Sequence, residues 1–410
     1  MTLVVQKYGG SSLADSGRIR LVAQRIAETS DGGNQVVVVV SAMGDTTDEL
    51  IELAYQVSKQ PKEREMDALL STGELISSTL LAMSLESLGY KAISLSGAQA
   101  GIKTDSTHNR ARIVSVSTKR ILEEIEKNNI VIVAGFQGIN HEMDTTTLGR
   151  GGSDTTAVAL AASLKADRCQ IYTDVEGVYA ADPRIVPRAA KLEEIGYDEM
   201  LEMASSGAKV MHPRAVELGE LYNIPILVAS SFGETSGTSI REETSMEIRN
   251  KVRGISHDAN VARVTVLGVP NRPGIASAIL EPLAKANVSV DTIVQNVSVG
   301  NTTDFTFTVG RSDLDKAKAI VDALIEPLGA REGATDSTLA KVSIVGTGMQ
   351  NTPGYAAMMF RTLYEQGINI QLISTSEIRI TCIISESDVK VAVRALYESF
   401  EAEIAKSSRA

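Results

Sequence analysis

Four short stretches of the chain combine residue types that handle phosphate and carboxylate anions. The first is Lys7-Tyr8-Gly9-Gly10-Ser11, where a lysine closes an apolar run and two glycines follow. Glycine lets backbone N–H groups approach an anion closely, and lysine adds a mobile point charge suited to phosphate. A tight strand-to-helix turn with an incidental lysine accounts for the same residues, and spacing alone leaves both readings open. The second is Thr145–Thr156 (TTTLGRGGSDTT), in which Arg150, Gly151, Gly152, Ser153 and Asp154 stand just before an Ala-rich stretch. Free amides and the dipole at a helix N-terminus attract anions, and a guanidinium beside them can grip a carboxylate through two hydrogen bonds. Capping by Ser153 or Asp154 is compatible with such a site. The third, Thr173–Arg184 (TDVEGVYAADPR), has polar ends that could hold a base and a ribose, although a surface turn is the simpler reading. The fourth, Gly207-Ala208-Lys209, sets a second lysine at a helix start, where a solvated lysine is the usual case. The common phosphate loops, G-x-x-x-x-G-K-[ST] and a post-strand G-x-G-x-x-G, are missing, as are the H-R-D and D-F-G elements of protein kinases.

The elements that must position these loops alternate strand and helix up to about residue 231. Leu3–Tyr8, Val36–Ser41, Ile130–Ala134, Arg168–Thr173 and Pro225–Ser230 read as strands. Five consecutive valines, Val36–Val40, show no polar alternation, which predicts a strand buried on both faces of a parallel sheet. Helical stretches are expected around Ile19–Ile26, from about Arg64 to Leu88, and after Gly151 to Leu164. The pattern predicts a mainly parallel α/β sheet covered by helices. Residues 233–250 are rich in Ser, Thr, Gly and Glu without periodicity and read as a linker. Beyond it the sequence repeats. Pro273-Gly274 and Pro353-Gly354 lie 80 residues apart, and at that offset Leu283 meets Leu363, Val288 meets Ile368, Val290 meets Ile370 and Ile293 meets Ile373. Each repeat reads strand, loop, helix, strand, strand, helix, the ferredoxin-like plan. The expected domains are 1–235, a linker at 236–260, and two small domains at 261–335 and 336–410.

Composition narrows the function classes. The formal net charge is −11 and aromatics make up 4% without any Trp. Such a chain repels polyphosphate and lacks stacking platforms, which argues against nucleic acid but not against a nucleotide. Two distant cysteines, Cys169 and Cys382, suggest neither a disulfide framework nor a zinc set and fit a reducing cytoplasm. Four scattered histidines lack metal spacing. No signal peptide and no membrane span are expected from the opening residues or the apolar runs.

In order and spacing, KYGGSS (7–12 with the lysine first), SAMGDTTDEL (41–50), STGE (71–74), TTLGRGGSDTTA (146–157), TDVEGVYAADPR (173–184) and GAKVMHPRA (207–215) resemble aspartate kinase. The second half, including LISTSEIRI (372–380), resembles that family's tandem ACT domains, and the compact length is similar to the monofunctional type. The resemblance implies an amino-acid kinase fold followed by two ferredoxin-like ACT domains. It implies ATP, with Mg2+ carried by the nucleotide, and L-aspartate as substrates. Lys7, Asp154 and Lys209 would be catalytic, with Gly9, Gly10, Ser11, Thr173, Asp174, Tyr179 and Arg184 around the nucleotide. Ser41, Thr47, Glu74, Arg150, Gly151, Gly152 and Ser153 would hold aspartate, Glu74 facing its ammonium. Lysine, threonine or both would act as effectors at Asn271, Gly274, Ile275, Ala276, Asp291, Thr292, Gln295, Asn369 and Ile370. A homo-oligomer is implied, or an α2β2 assembly whose regulatory subunit starts internally, with Met246 the candidate start. Another acyl- or phosphate-kinase of the same superfamily and a catalytically silent amino-acid sensor are the alternatives.

Overall fold

The computed structural model describes residues 2–208, 210–233, 236–242, 252–296, 301–349 and 352–404. The chain divides into two units: Met1–Tyr179 with Lys191–Ser205 and Lys209–Ile248, and Ala180–Ala190 with Ser206–Ala208 and Arg249–Ala410. The first expected domain is thus interrupted, because Ala180–Ala190 clusters with the second unit. There, Arg394 Nε donates to the Ile185 carbonyl at 2.9 Å, and the Tyr397 hydroxyl accepts from the Ala190 N–H at 3.0 Å.

In the first unit the elements run β1 (Leu3–Tyr8), α1 (Ser16–Asp31), β2 (Gln35–Val40), α2 (Thr46–Val57), α3 (Glu63–Ser87), β3 (Ala92–Leu95), β4 (Ile102–Thr104), β5 (Ile113–Val116) and α4 (Lys119–Glu126). They continue with β6 (Ile130–Ala134), β7 (Gln137–Ile139), β8 (Thr145–Thr147), α5 (Gly152–Leu164), β9 (Arg168–Thr173), β10 (Glu194–Ile195), α6 (Tyr197–Ser205), α7 (Pro213–Leu221), β11 (Ile226–Ser230) and β12 (Thr238–Ile240). The main sheet has the order β10-β12-β11-β9-β1-β2-β6-β3, and β11 through β3 are mutually parallel. The valine run of β2 sits inside it with both faces covered: Val36 is 3% exposed and Val37–Val40 are 0%. A second, four-stranded sheet has the order β5-β4-β7-β8.

Alternation along β1 sorts its side chains onto two faces. Tyr8 joins Val36, Val38, Val40, Ile19, Val22 and Leu81 in the core under α1 and α3. Lys7 points to the opposite face, which α5 covers. Helix α3 is long and apolar enough to cross a membrane by length and composition, but half of its most apolar window is buried. Its buried stripe includes Asp67, Leu70, Gly73, Glu74, Leu81 and Leu85, so the helix serves this unit as a core element.

The second unit holds β13 (Gly254–Pro270), α8 (Ile275–Lys285), β14 (Val290–Gln295), β15 (Thr302–Val309), α9 (Leu314–Leu328), β16 (Glu332–Val345), α10 (Tyr355–Glu365), β17 (Leu372–Thr375), β18 (Arg379–Ser385) and α11 (Val389–Ile404). The repeat is visible in one six-stranded sheet, β14-β15-β13-β16-β18-β17. Gly274 and Gly354, 80 residues apart, both stand at helix N-caps with φ of 92° and 111°. That conformation, with open space around each Cβ position, explains glycine at both.

Two expected boundaries change. Glu332–Val345 is a single strand that runs through the expected division at 335/336. Its first half pairs with Val261–Leu267 and its second half with Gly254–Asp258, so the latter belongs to the sheet and not to a linker. Thr238–Ile240, also inside the expected linker, pairs with β11. Long-range pairing overrides local polarity at both places. Met246 lies outside the described residues.

Candidate active site

The carboxyl ends of β9, β1, β2 and β6 form one edge, stitched residue by residue. Gly9 N–H donates to the Tyr172 carbonyl at 3.3 Å, Ser41 N–H to Tyr8 at 3.1 Å, and Gly135 N–H to Val40 at 3.0 Å. From β1 the chain proceeds to β2 on one side while β9 lies on the other, so the β1 terminus marks a reversal of winding order. Parallel sheets place ligands outside such carboxyl ends. Lys7 and Gly9 stand there because β1 stops there.

A cavity of about 670 Å³ opens at this edge. Its lining includes Lys7, Gly9, Gly10, Ser41, Thr47, Glu74, Arg150, Gly151, Gly152, Ser153 and Asp154, drawn from four separate sequence stretches. Lys7 Nζ lies 2.7 Å from Asp154 Oδ1, with the side chains 11% and 10% exposed. Asp154 occupies the first turn of α5, and its other oxygen accepts from the His212 N–H at 3.4 Å. Gly151, with φ of 70°, is the N-cap of α5 and the helix carries no side-chain cap, so capping by Ser153 or Asp154 is not what opens it. First-turn amides without intrahelical partners therefore face the same space as the Lys7 ammonium.

Glu74 closes another side of the cavity. Its Oε1 accepts from the Ala42 N–H at 3.2 Å, while Oε2 is buried without a partner. Burial pushes its carboxyl up to about 7, against the lowering effect of backbone hydrogen bonds. A buried carboxylate oxygen without a donor suits a cationic ligand group. Gly73 allows this reach: a Cβ there would come 2.8 Å from the Ala42 Cβ. Arg150 is 94% exposed and only 3.7 Å from Asp48, itself exposed, a pairing too solvated to hold it firmly. Its guanidinium is accessible to a carboxylate.

Some expected residues are not in this cavity. Ser11 offers its carbonyl to Arg18. Thr173 ends β9 and Asp174 follows it, adjacent to the β1 terminus, with Thr173 Oγ1 donating to Asp174 at 3.1 Å. The Tyr179 hydroxyl donates to Glu176 at 3.2 Å. Arg184 falls in the second unit, where it binds the Asp182 carboxylate through Nε and a terminal nitrogen at 3.0 and 2.8 Å. Arg184 is not among the residues that line the Lys7 cavity. Lys209 lies outside the described residues. Among the nine expected effector residues, Asp291, Thr292 and Gln295 lie on β14, while Asn369 and Ile370 lead into β17, at the opposite edge of the six-stranded sheet. One chain does not bring these two groups together.

Sequence reasoning gave no role to His212, although it stands inside a quoted motif. A Cβ on Gly151 would come 2.4 Å from its ring, so the imidazole backs the turn before α5. Gly151→Ala combines this overlap with an unfavourable φ. We expect a loss of about 1–3 kcal/mol in stability and a rise in the aspartate KM. Thermal melting and initial rates check this, and a variant equal to the unsubstituted chain in both counts against the packing account.

Residues 2–230 match the amino acid kinase family, and residues 263–326 and 342–400 each match the ACT domain. The chain is 51% identical to the aspartate kinase of Stutzerimonas stutzeri over 403 residues, 98% of both chains. It is 49% identical to aspartokinase 2 of Bacillus subtilis, again over 98% of each. It is similar in structure to E. coli aspartokinase III in complex with aspartate and ADP (R-state), with a TM-score of 0.83, 26% identity, and coverage of 97% of this chain and 100% of that one. The chain therefore belongs to the aspartate kinase family, with an amino acid kinase domain joined to two ACT domains.

Proposed function

We propose that the Lys7 cavity is where an aspartate side-chain carboxylate attacks the γ-phosphorus of ATP. One observation carries the assignment: the buried Lys7–Asp154 pair at the start of α5 shares a cavity with the unpartnered carboxylate oxygen of Glu74. The first group answers a phosphate and the second an ammonium. The E. coli relative solved with aspartate and ADP supports that pairing of ligands.

In this reading Glu74 takes the substrate ammonium, Arg150 with Ser153 takes its α-carboxylate, and Ser41 and Thr47 hold its side chain. The side-chain carboxylate has a reference pKa of about 3.9, so it arrives ionised and needs no general base. One of its oxygens forms a bond to the γ-phosphorus as the bond to the β–γ bridging oxygen breaks. ADP departs and 4-phospho-L-aspartate remains. Lys7, the Gly9-Gly10 segment and the amides at the start of α5 stabilise charge on the transferring group. Lys209 supplies the second cation, while Ser11, Thr173, Asp174, Tyr179 and Arg184 belong to the nucleotide side. Among the described residues no three His, Cys, Asp or Glu side chains gather as a metal site. Magnesium enters as the nucleotide's companion.

The reading extends to biosynthesis of lysine, threonine and methionine, in the cytoplasm, with feedback by lysine, threonine or both through the ACT pair. Both cysteines are free and buried, which suits a reducing compartment. Because the two groups of effector residues lie at opposite sheet edges, a second copy of the chain, or a separate regulatory subunit, would join them.

Hydroxylamine trapping tests the chemistry. With ATP, magnesium and aspartate, aspartyl hydroxamate should accumulate in step with ADP. Glutamate should give little. Purified chain that forms no hydroxamate with aspartate rules this function out.

A further inference from the structure

We infer that Asp67 is a positioning residue for the acceptor side of the site, acting through Thr147 and Asn109; this rests on the placement of aspartate proposed above. Asp67 lies on α3 seven residues before Glu74, two turns along the same face. It is fully buried, 0% exposed. Burying a carboxylate is unfavourable unless donors surround it. Here every donor comes from outside α3. His108 Nδ1 lies 2.6 Å away. The Asn109 N–H reaches both carboxylate oxygens, at 3.0 and 3.2 Å. The Thr147 hydroxyl makes a short bond to Oδ1.

Two of these donors, Asn109 and Thr147, line the cavity itself. Thr147 leads directly into the segment that carries Arg150. Ala111 N–H donates to the Thr147 carbonyl at 2.9 Å, tying the two stretches together. A Cβ on Gly149 would stand 3.0 Å from the Asn109 carbonyl, so the turn before Arg150 rests on Asn109. From the other side, Arg214 donates to the Leu148 carbonyl at 2.8 Å and to the Ala111 carbonyl at 3.0 Å. The Thr147–Gly152 segment is therefore held by Asp67 within and Arg214 without. Asp67 reaches the cavity lining through Asn109 and Thr147, whereas Thr173, Asp174 and Tyr179 are not part of that lining.

The position calls for an acceptor with two oxygens. Asn at 67 keeps the shape but turns N–H groups toward the Asn109 N–H and the His108 ring, so the wall must shift. Val at 147 keeps the shape and deletes only the hydroxyl donor.

Steady-state kinetics of the full chain with ATP and aspartate test the inference. Asp67→Asn should raise the aspartate KM about tenfold or more, while the ATP KM changes less than about twofold. Thr147→Val should show the same one-sided shift, smaller in size. The double variant should be little worse than Asp67→Asn, because both cut one link. Aspartate and ATP KM values that rise in parallel with a falling Tm would mean a general structural role and overturn the inference. If Asp67→Asn does not fold, Thr147→Val decides, and an unchanged aspartate KM there overturns it. Failure of the unsubstituted chain to turn over aspartate defeats the functional reading underneath, whereas turnover with unchanged KM values in both variants defeats only the positioning role.

Discussion

Lys7→Ala should lose about 10²–10³ in kcat while the chain remains folded. The expectation follows from where the ammonium sits. Its Nζ is 2.7 Å from Asp154 and nearly out of solvent, at the rim of the cavity where the α5 amides converge. A buried ion pair is weak evidence for stability, because desolvation offsets most of the attraction. The pair makes better sense as a device that holds one cation in a fixed place before the phosphates arrive. Alanine leaves the Asp154 carboxylate next to an incoming anion with nothing between them. The substitution thus removes a favourable charge and exposes an unfavourable one, and both effects grow as negative charge develops on the transferring group.

A longer cation will not restore the site. The Lys7 ammonium is a compact point charge set 2.7 Å from Asp154, a placement that a larger planar guanidinium does not reproduce. Lys7→Arg should therefore recover little activity, although it keeps the charge. Rates of ADP release, read beside circular-dichroism melts, separate catalysis from folding. A folded Lys7→Ala chain with kcat near that of the unsubstituted one would falsify the assignment.

The parts of this site that could be read in the sequence are those carried by local pattern. An unbroken valine run meant a strand covered on both faces, and Val37–Val40 have no exposed surface. A lysine at the end of an apolar run followed by two glycines left an anion loop and a tight turn both open, and Lys7 and Gly9 stand at the carboxyl end of β1. The Pro-Gly repeat marked two matching helix starts, at Gly274 and Gly354.

What stayed hidden depends on partners far away in the chain. Asp67 looks like one more acid in a long helix, because its donors sit 41, 42 and 80 residues on. Glu332–Val345 is one strand because β13 offers it a continuous partner, which no local cue in either repeat reveals. Gly254–Asp258 has the polarity of a linker and becomes strand for the same reason. The Arg184 guanidinium pairs with Asp182, two residues before it, a contact that the spacing alone does not announce.

Glu74→Gln should weaken aspartate binding by about two orders of magnitude yet leave the unliganded chain at least as stable above neutral pH. The two effects have opposite signs because one carboxylate serves both. Burial holds its pKa up to about 7, so the folded chain binds this proton more tightly than the unfolded chain does. Its contribution to stability is complete in acid, below the ordinary carboxylate range, and is lost as pH rises toward 7. The loss amounts to about 3 kcal/mol at most, from 1.36 kcal/mol per unit of pKa. Gln carries no charge to desolvate and escapes it. Binding runs the other way. An ammonium set against the free Oε2 needs Glu74 ionised, so below pH 7 each aspartate bound must expel one proton. The apparent aspartate affinity should fall about tenfold per pH unit below 7 and level off above it, a dependence that the substrate's own side chain, with a reference pKa of about 3.9, cannot produce. Calorimetric titrations in buffers of different ionisation enthalpy count the proton directly, and melts at about pH 8 compare the unliganded chains. Aspartate affinity that is flat across neutral pH in the unsubstituted chain, or equally steep in Glu74→Gln, would remove Glu74 from the ammonium site and leave its empty oxygen without a purpose.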